Sequence, residues 1–516
     1  FFTHPDEKTP EAAGHGLLAS CGSAFFLLLT NPLVILVFTA TFFMTAGTVL
    51  FYSFGYRFNF ERGIFIYTGS ITIQSNPETV VIHVDGEEVP QKSLGIINKS
   101  IHIGGLPPGE HLIEVSAEGY QSWSKKTLIR SGVSSEFWNV LLVRKDSERT
   151  TIPGTADTVR VFPSLEQNIL AAARQIENGF SVDIVWTDTG EHTQAFSVSD
   201  ASFVTDDDEN IEWSPEGDRL IVPVQRHEDG LYLYYVADIE TGSALLLNDL
   251  PGIDSAAIRS ARWDPTTKNS LFFLSGQSLY RVDTGSQSPE PTLVRADILA
   301  YDLSGRYVYS LSKEDRIVSR SVIGAGAEPE QVTLEPVSLP EDSDTALIIY
   351  DEDRLTMRDR RSGAFFVFNR AIADHPLREI DRNIRGSQFS DDGKKILFYT
   401  DNEISAYFTE DWEAQPFRSA DTILQIARLS SPIRNVQWTK DYEHVLFSQG
   451  ATAKVTELDH RDRRNIFDLA SFDESPLQIL SRFDENSVYF LRSDRGAGTT
   501  FAGLGGHRIA PGSRHA

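Results

Sequence analysis

The stretch "IEWSPEGDRLIVPV", Ile211 to Val224, decides how most of this chain is read. It passes from an apolar residue to Trp213 and a small polar Ser214. It then turns at Pro215-Glu216-Gly217-Asp218 and runs on as a β-rich apolar segment. The same order returns as "VFPSLEQNILAAA" at Val161, "ARWDPTTKNSLFFL" at Ala261 and "LAYDLSGRYVYSL" at Leu299. Further copies are "SQFSDDGKKILFYT" at Ser387, "VQWTKDYEHVLFS" at Val436 and, more loosely, "LSRFDENSVYFLR" at Leu480. With Phe162, Trp213, Trp263, Tyr301, Phe389, Trp438 and Phe483 aligned, the steps are 51, 50, 38, 88, 49 and 45 residues. The longest step is about two repeats of 44, so a degenerate copy is expected near "TALIIYDEDRLTMRDRRSGAFFVF".

A repeat of that length holding several short strands points to a β-propeller. A four-stranded blade has two apolar faces and cannot cover both alone, so blades stack around an axis with the repeated aromatic between neighbours. The expectation is seven blades over residues 155–493, with eight as the alternative. The Trp-Ser-Pro-Glu-Gly form resembles the repeats of propellers in the Tol-Pal translocation system and in prolyl oligopeptidases. That likeness speaks for fold and says little about activity.

Upstream lies a smaller β-module. "ITIQSNPETVVIHVDGEEV", Ile71 to Val89, alternates apolar and polar residues, breaks at Ser75-Asn76-Pro77, alternates again and ends on Asp85-Gly86. In "HLIEVSAEGY", Ile113, Val115 and Ala117 share one face and Leu112, Glu114, Ser116 and Glu118 the other, as in a half-buried strand. Pro107-Pro108-Gly109 turns the chain into it, and Val140–Val143 reads as a closing strand. An antiparallel β-sandwich over residues 64–145 is expected.

Two parts of this module resemble the PEGA domain. The run Ser75–Gly86 is similar to that family's opening signature, with Thr79-Val80 where Gly-Ala would stand. "LPPGEHLIEVSAEGYQSW" is similar to its second, through Pro108, Gly109, Gly119, Tyr120 and Trp123. The whole order of anchor, module and β-rich tail resembles membrane-anchored PEGA proteins with a C-terminal propeller of the WD or Tol type. The resemblance implies an envelope-side binding or spacer module and brings no catalytic residues. Tyr120 and Trp123 are the candidate binding residues, against the plainer reading that two aromatics at a strand end cover the edge of a small sandwich.

From Leu33 to Phe54 the chain carries 22 residues without a charge, "LVILVFTATFFMTAGTVLFYSF". At 1.5 Å per residue that is about the 30 Å needed to cross a bilayer core. Tyr52, Tyr56 and Arg57 suit an interfacial end. "LLASCGSAFFLLL", Leu17–Leu29, is also apolar, either extending the helix or folding back. "LASC", Leu18–Cys21, resembles a lipoprotein processing site, with the apolar run mostly after the cysteine rather than before it. The basic residues Arg57 and Arg62 would favour the C-terminal bulk inside the cell, whereas the family resemblance favours the outside.

The 516 residues carry a formal charge of −26, which argues against a phosphate-backbone partner and hence against nucleic acid. Residues 55–150 hold 10 basic and 11 acidic side chains and residues 151–516 hold 36 and 59, so the acidity belongs to the propeller. One cysteine, Cys21, excludes an intrachain disulfide and a cysteine-based metal cluster. There is no Gly-x-Ser-x-Gly elbow, no His-Glu-x-x-His helix and no phosphate-cradling loop; His460-Arg461-Asp462 lacks the asparagine of a kinase loop, Phe467 standing there. The run Asp206–Glu209 lacks calcium-loop spacing and reads as a solvated loop, and Asn98-Lys99-Ser100 as a chance glycosylation triplet.

The expected organisation is an N-terminal segment 1–32, a transmembrane helix 33–54, the PEGA-like sandwich 64–145, the propeller 155–493 and a disordered tail 494–516. The expected function is that of a non-enzymatic, single-span binding or scaffold protein of the cell envelope. Its partner would be a protein or cell-wall component, with no cofactor, no metal and the bulk outside the cytoplasm. The alternative is a propeller hydrolase or lyase, which three or more carboxylates or imidazoles converging in the central channel would favour.

Overall fold

The computed structural model describes residues 32–59, 63–89, 92–93, 100–146, 148–152, 155, 157–164, 168–187, 189–204, 209–324, 326, 328–482, 487–494 and 498–505. Cys21, the Leu17–Leu29 run, Asn98-Lys99, Asp206–Asp208 and Phe483 therefore lie outside the described residues. The chain divides into two compact units, residues 1–73, 89–111 and 127–137 and residues 74–88, 112–126 and 138–516.

In the first unit, helix α1 spans Pro32–Ser53, and none of its side chains is buried. Its hydroxyls are satisfied within the helix: Thr41, Thr45, Thr48 and Ser53 each donate to the carbonyl four residues earlier at 2.8 Å. The helix ends at Gly55 (φ 86°), a left-handed position that glycine adopts without strain. A hairpin follows, Tyr56–Asn59 paired with Ile64–Tyr67. Its rings gather at the helix end, Phe51 stacking on Phe65 and Tyr56 on Tyr67 at centroid distances of 5.7 and 4.9 Å. A four-stranded sheet in the order Ser134–Leu141, Gly69–Asn76, Ile101–Leu106, Lys92–Ser93 lies mainly in this unit.

A second four-stranded sheet, Glu87–Glu88, Val81–Val84, Gly109–Ser116 and Trp123–Ile129, lies mainly in the other unit. Its hairpin turns at Asp85 and Gly86 with φ of 54° and 86°, the two left-handed positions that make Asp-Gly favourable there. Ile113 and Val115 are fully buried, as the alternation of that strand requires.

The remainder forms eight consecutive antiparallel sheets among the described residues, seven of four strands and the second of five. Their first strands are Thr158–Pro163, Ala201–Phe203 with Glu212–Trp213, Ile258–Trp263, Ile298–Ser304, Thr345–Ile349, Gly386–Phe389, Ile433–Trp438 and Gln478–Arg482. The fold is a β-propeller whose count is eight rather than seven. The degenerate copy is the fifth sheet, where Ile348 and Ile349 occupy the stretch that elsewhere carries the aromatic.

Apolar seams join each sheet to the next. They hold Phe180 with Val222, Ile221 with Phe273, Phe272 with Tyr301, Leu311 with Met357, Phe365 with Phe398, Leu397 with Trp438 and Leu446 with Phe490. An eighth seam puts Leu491 of the last sheet against Val161 of the first, so the ring is closed. Second strands such as Ser270–Ser275 are buried along their whole length because both faces are covered. They accordingly read as unbroken apolar runs.

The last sheet corrects the expected tail. Its order is Glu148–Thr151, Gly498–Gly505, Ser487–Asp494, Gln478–Arg482. Gly498–Gly505, expected in a disordered tail from 494, is a strand, and its partner Glu148–Thr151 precedes the expected propeller start at 155. Backbone hydrogen bonds build this pairing, so small residues suffice for it.

The small polar residue after each aromatic has a local reason. Ser214 Oγ donates to Asp218 Oδ1 at 2.9 Å and accepts from the Asp218 and Arg219 amides at 3.1 and 3.0 Å. Ser390 and Thr439 close the same turn through Asp392 and Asp441 at 2.6 and 2.7 Å. At Gly393 (φ 65°) an added Cβ would fall 2.2 Å from the ring of Tyr350 on the fifth sheet, so this turn also needs glycine for the close approach.

Candidate functional site

Trp123 and Tyr120 sit at the start of the strand Trp123–Ile129 and in the turn before it. Trp123 is 1% exposed, and its Nε1 donates to Glu457 Oε2 at 2.9 Å. Glu457 also accepts at Oε1 from the fully buried Lys125 at 2.8 Å and from Asn465 N and Nδ2 at 2.7 and 2.8 Å. Lys125 Nζ completes its shell on the carbonyls of Asp459 and Arg463 at 2.7 and 3.0 Å. These contacts bind the strand to the seventh sheet at the turn after Thr452–Glu457. Tyr120 is half-buried; its hydroxyl accepts from Arg144 Nε at 3.2 Å, and the guanidinium lies 5.5 Å from the ring centre. The structure does not gather the two aromatics on one open face. Lys125 and Glu457, which sequence reading missed, are more than 300 positions apart with no shared motif.

Along the first strands, polar side chains tie sheet to sheet. Trp213, Trp263 and Trp438 each donate through Nε1 to a carbonyl of the preceding sheet, those of Phe162, Glu212 and Gln388, at 3.0, 3.1 and 3.2 Å. Gln437 donates to Ile479 O at 2.7 Å, and Gln478 donates to Val161 O at 3.0 Å and accepts from its amide at 2.9 Å.

Carboxylates do the same beside a cavity of 760 Å³ lined by parts of the first, second, third, fourth and fifth sheets. Glu209 accepts from the Ser260 amide at 2.9 Å. Glu212 accepts from Arg262 Nε at 2.8 Å and the Trp263 amide at 3.2 Å. Asp302 accepts from Arg262 Nη1 at 3.0 Å and the Ile349 amide at 2.8 Å. Burial pushes all three carboxyls above their ordinary values, opposed by these donors. Among the described residues two of these carboxyls, Glu209 and Glu212, line the cavity itself, and Asp302 lies beside it. Each oxygen set is nevertheless occupied by main-chain amides or Arg262, which makes these groups cross-links between sheets rather than free bases.

A second cavity of 930 Å³ is lined by Arg160, Arg358, Arg360, Arg361, Arg385 and Arg434, with Asp344 and Asp401 as its carboxylates. Asp344 pairs with Arg360 at 2.8 Å, and Asp401 takes Arg385 through both oxygens at 3.0 and 2.8 Å. An adjoining cavity of 380 Å³ shares Arg160, Arg358 and Arg385. The lining of the larger one comes from the first strands of the first, second, seventh and eighth sheets, with Arg160, Phe203, Arg434 and Gln478, and from the second strands and turns of the fifth and sixth. The sequence held a signal for it: Arg259, Arg385 and Arg434 each stand four residues ahead of an aligned aromatic. Among the described residues no cluster of three or more His, Cys, Asp or Glu is placed to hold a metal ion.

No protein-family model matches the chain, and no curated protein matches it. Several solved structures are similar to it at low identity. The Dos1 propeller is 10% identical with a TM-score of 0.46, covering 71% of this chain and 96% of its own. Hsv2 of Kluyveromyces lactis is 12% identical with a TM-score of 0.37, covering 60% and 97%. A chain of the mitotic checkpoint complex is 11% identical with a TM-score of 0.37, covering 70% and 94%. The assignment of this fold rests on the sheet order and the eight seams.

Proposed function

We propose that this chain is a membrane-anchored, non-enzymatic binding or scaffold protein of the cell envelope. Helix 33–54 holds it in the bilayer, the PEGA-like module over 64–145 serves as spacer, and the propeller presents the partner surface. The observation that carries the reading is α1: 22 uncharged, mostly apolar residues, none buried, with the Thr and Ser hydroxyls named above returned to the helix's own carbonyls. Such a helix leaves its apolar surface to a lipid solvent and returns these four hydroxyls to its own backbone. Arg57 supports an interfacial end, donating to Tyr52 O at 2.8 Å with its guanidinium 3.4 Å from the Tyr52 ring centre. The engaged carboxylates of the propeller favour binding over catalysis.

The test is carbonate extraction of membranes carrying the full chain or a variant lacking Pro32–Ser53. The full chain stays in the pellet and the variant is released; release of both overturns the anchor. Sidedness is read with Gln287→Cys, in an exposed turn of the third sheet, in a Cys21→Ser background. An extracytoplasmic propeller reacts with an impermeant thiol reagent on whole cells, and a cytoplasmic one reacts only after lysis.

A further inference from the structure

We infer that the aromatic hairpin after α1, Tyr56–Asn59 with Ile64–Tyr67, lies in the bilayer interface, its rings among lipid headgroups and upper acyl chains. This deepens the proposed membrane anchoring and rests on it, and the test separates the failure of one from the failure of the other.

The observation is an apolar element left open at the end of an apolar helix. Tyr56 stands opposite Tyr67 and Phe58 opposite Phe65, which puts four aromatic rings on one face of the hairpin. On the other face Arg57 stands opposite Ile66 and Asn59 opposite Ile64. Phe51 of α1 meets the aromatic face, its ring centre 5.3 Å from that of Tyr56 and 5.7 Å from that of Phe65. One ring is too small a cover. Phe58, Ile64, Phe65 and Tyr67 remain 42, 52, 50 and 41% exposed, and Phe54 just before them 67%. Two strands by themselves are marginal in water, so such a face needs a medium that covers it.

That medium follows from the attachment to the helix. Thr68 donates to Gly55 O through its amide at 3.0 Å and through its hydroxyl at 2.6 Å. Arg57, the one charged residue of the two strands, donates back to Tyr52 O at 2.8 Å and to Tyr56 O at 3.1 Å. The hairpin is thus fixed to the last helical turn and enters whatever surrounds that turn. Its open rings continue the exposed surface of Leu50, Phe51 and Phe54, so lipid that solvates α1 reaches them without a break.

The backbone sets the depth. Among the described residues the hairpin pairs with no third strand, so both of its outer edges carry free peptide groups. Such edges are not tolerated in hydrocarbon, whereas aromatic rings are favoured at headgroup level. The interface meets both demands and the hydrocarbon core only one. The same hairpin is tied onward: Gly132 N donates to Thr68 O at 2.9 Å and Ser70 N to Val133 O at 3.1 Å. The sheet that holds Gly69–Asn76 is therefore kept at the membrane surface rather than hung on a free linker.

The test uses the full chain in a Cys21→Ser background, reconstituted in vesicles of phosphatidylcholine and phosphatidylglycerol. Ile64→Cys and Phe58→Cys report the two faces of the hairpin, Met44→Cys the helix and Gln287→Cys the aqueous baseline. Each carries an environment-sensitive fluorophore, quenched in turn by nitroxide lipids and by aqueous iodide. The hairpin labels are expected to be quenched by a headgroup-proximal nitroxide about threefold more than the Gln287→Cys label, for interfacial burial of roughly 5–10 Å. The Met44→Cys label responds most to a mid-chain nitroxide. Ile64 lies on the face away from the rings, so it remains readable if Phe58→Cys disturbs them. Hairpin labels open to iodide and untouched by nitroxide lipids, with Met44→Cys quenched, overturn the insertion and leave the anchor standing. Labels closed to both quenchers show that protein, such as a second copy, covers the hairpin, and overturn it as well. An unquenched Met44→Cys label removes the anchor and the insertion with it.

Discussion

The indole N–H of Trp123 donates to Glu457 Oε2 at 2.9 Å, joining residues 334 positions apart in the chain. The same carboxylate neutralises Lys125, whose side chain has no exposed surface. An aromatic placed by its motif at the end of a strand is thus consumed inside the molecule, and one glutamate organises both partners.

Glu457→Ala removes the nearer counter-charge of buried Lys125 and leaves Asp459 Oδ1 at 4.0 Å, so the cost approaches the roughly 3–5 kcal/mol of breaking a buried pair. The expected outcome is a large drop in the urea midpoint. Lys125→Met combined with Glu457→Leu recovers part of it, because the unpaired charge is gone. Equal midpoints for the wild type and Glu457→Ala would show that the node contributes nothing.

A chain ending at Asp494 loses the strand Gly498–Gly505 and with it the backbone partner of Glu148–Thr151. The melting temperature is expected to fall and the transition to broaden. A chain ending at Gly505 melts like the full one. Identical melting of all three would return residues 498–505 to the status of a tail.

Trp438→Phe removes the Nε1 donor to Gln388 O at the seam between the sixth and seventh sheets and leaves a void beside Leu397. A loss of about 1–3 kcal/mol is expected in equilibrium unfolding. Trp186→Phe, at a 38% exposed position, serves as the control with little change.

His444 Nδ1 meets Asp441 Oδ2 at 2.7 Å in a buried turn of the seventh sheet. Burial opposes both charges, but each group's partner outweighs it, so His444 is raised above its ordinary 6.5 and Asp441 is held well below 3.8. A raised histidine stabilises fully below its unfolded value and loses that contribution as pH rises through the folded value. A depressed aspartate stabilises above its unfolded value and loses it as pH falls. Stability from this pair is therefore greatest between about pH 5 and 6.5 and declines on the alkaline side. Melting temperatures across pH 5–9 should show that decline in the wild type and less of it in His444→Gln; parallel curves would refute the role of the pair.

The propeller was legible because its cause is repeated. Trp213, Trp263 and Trp438 hold equivalent seams, and Ser214, Ser390 and Thr439 close equivalent turns, so one physical demand is written several times. The fifth sheet carries isoleucine at the marker, yet the doubled step of 88 residues marks its place, and counted with the seven aligned copies it gives the eight that stood as the alternative. Gly498–Gly505 was not legible, since a strand held by its backbone leaves little trace in side chains. Nor was the partnership of Lys125 with Glu457, which has no periodicity to betray it. The arginine wall was half-written, through the common offset of Arg259, Arg385 and Arg434, and only the ring shows that the residues at 385 and 434 share a wall with Arg160 and Arg358.

The mixed parentage of the eighth sheet sets an order of manufacture. Sheets one to seven can stack in turn as the nascent polypeptide emerges, but the outer flank of the first stays uncovered until the segment around 478–505 has been made. Throughout that interval Glu148–Thr151 waits as an unpartnered edge, the most vulnerable moment for joining a neighbouring molecule instead of its own terminus-proximal strand.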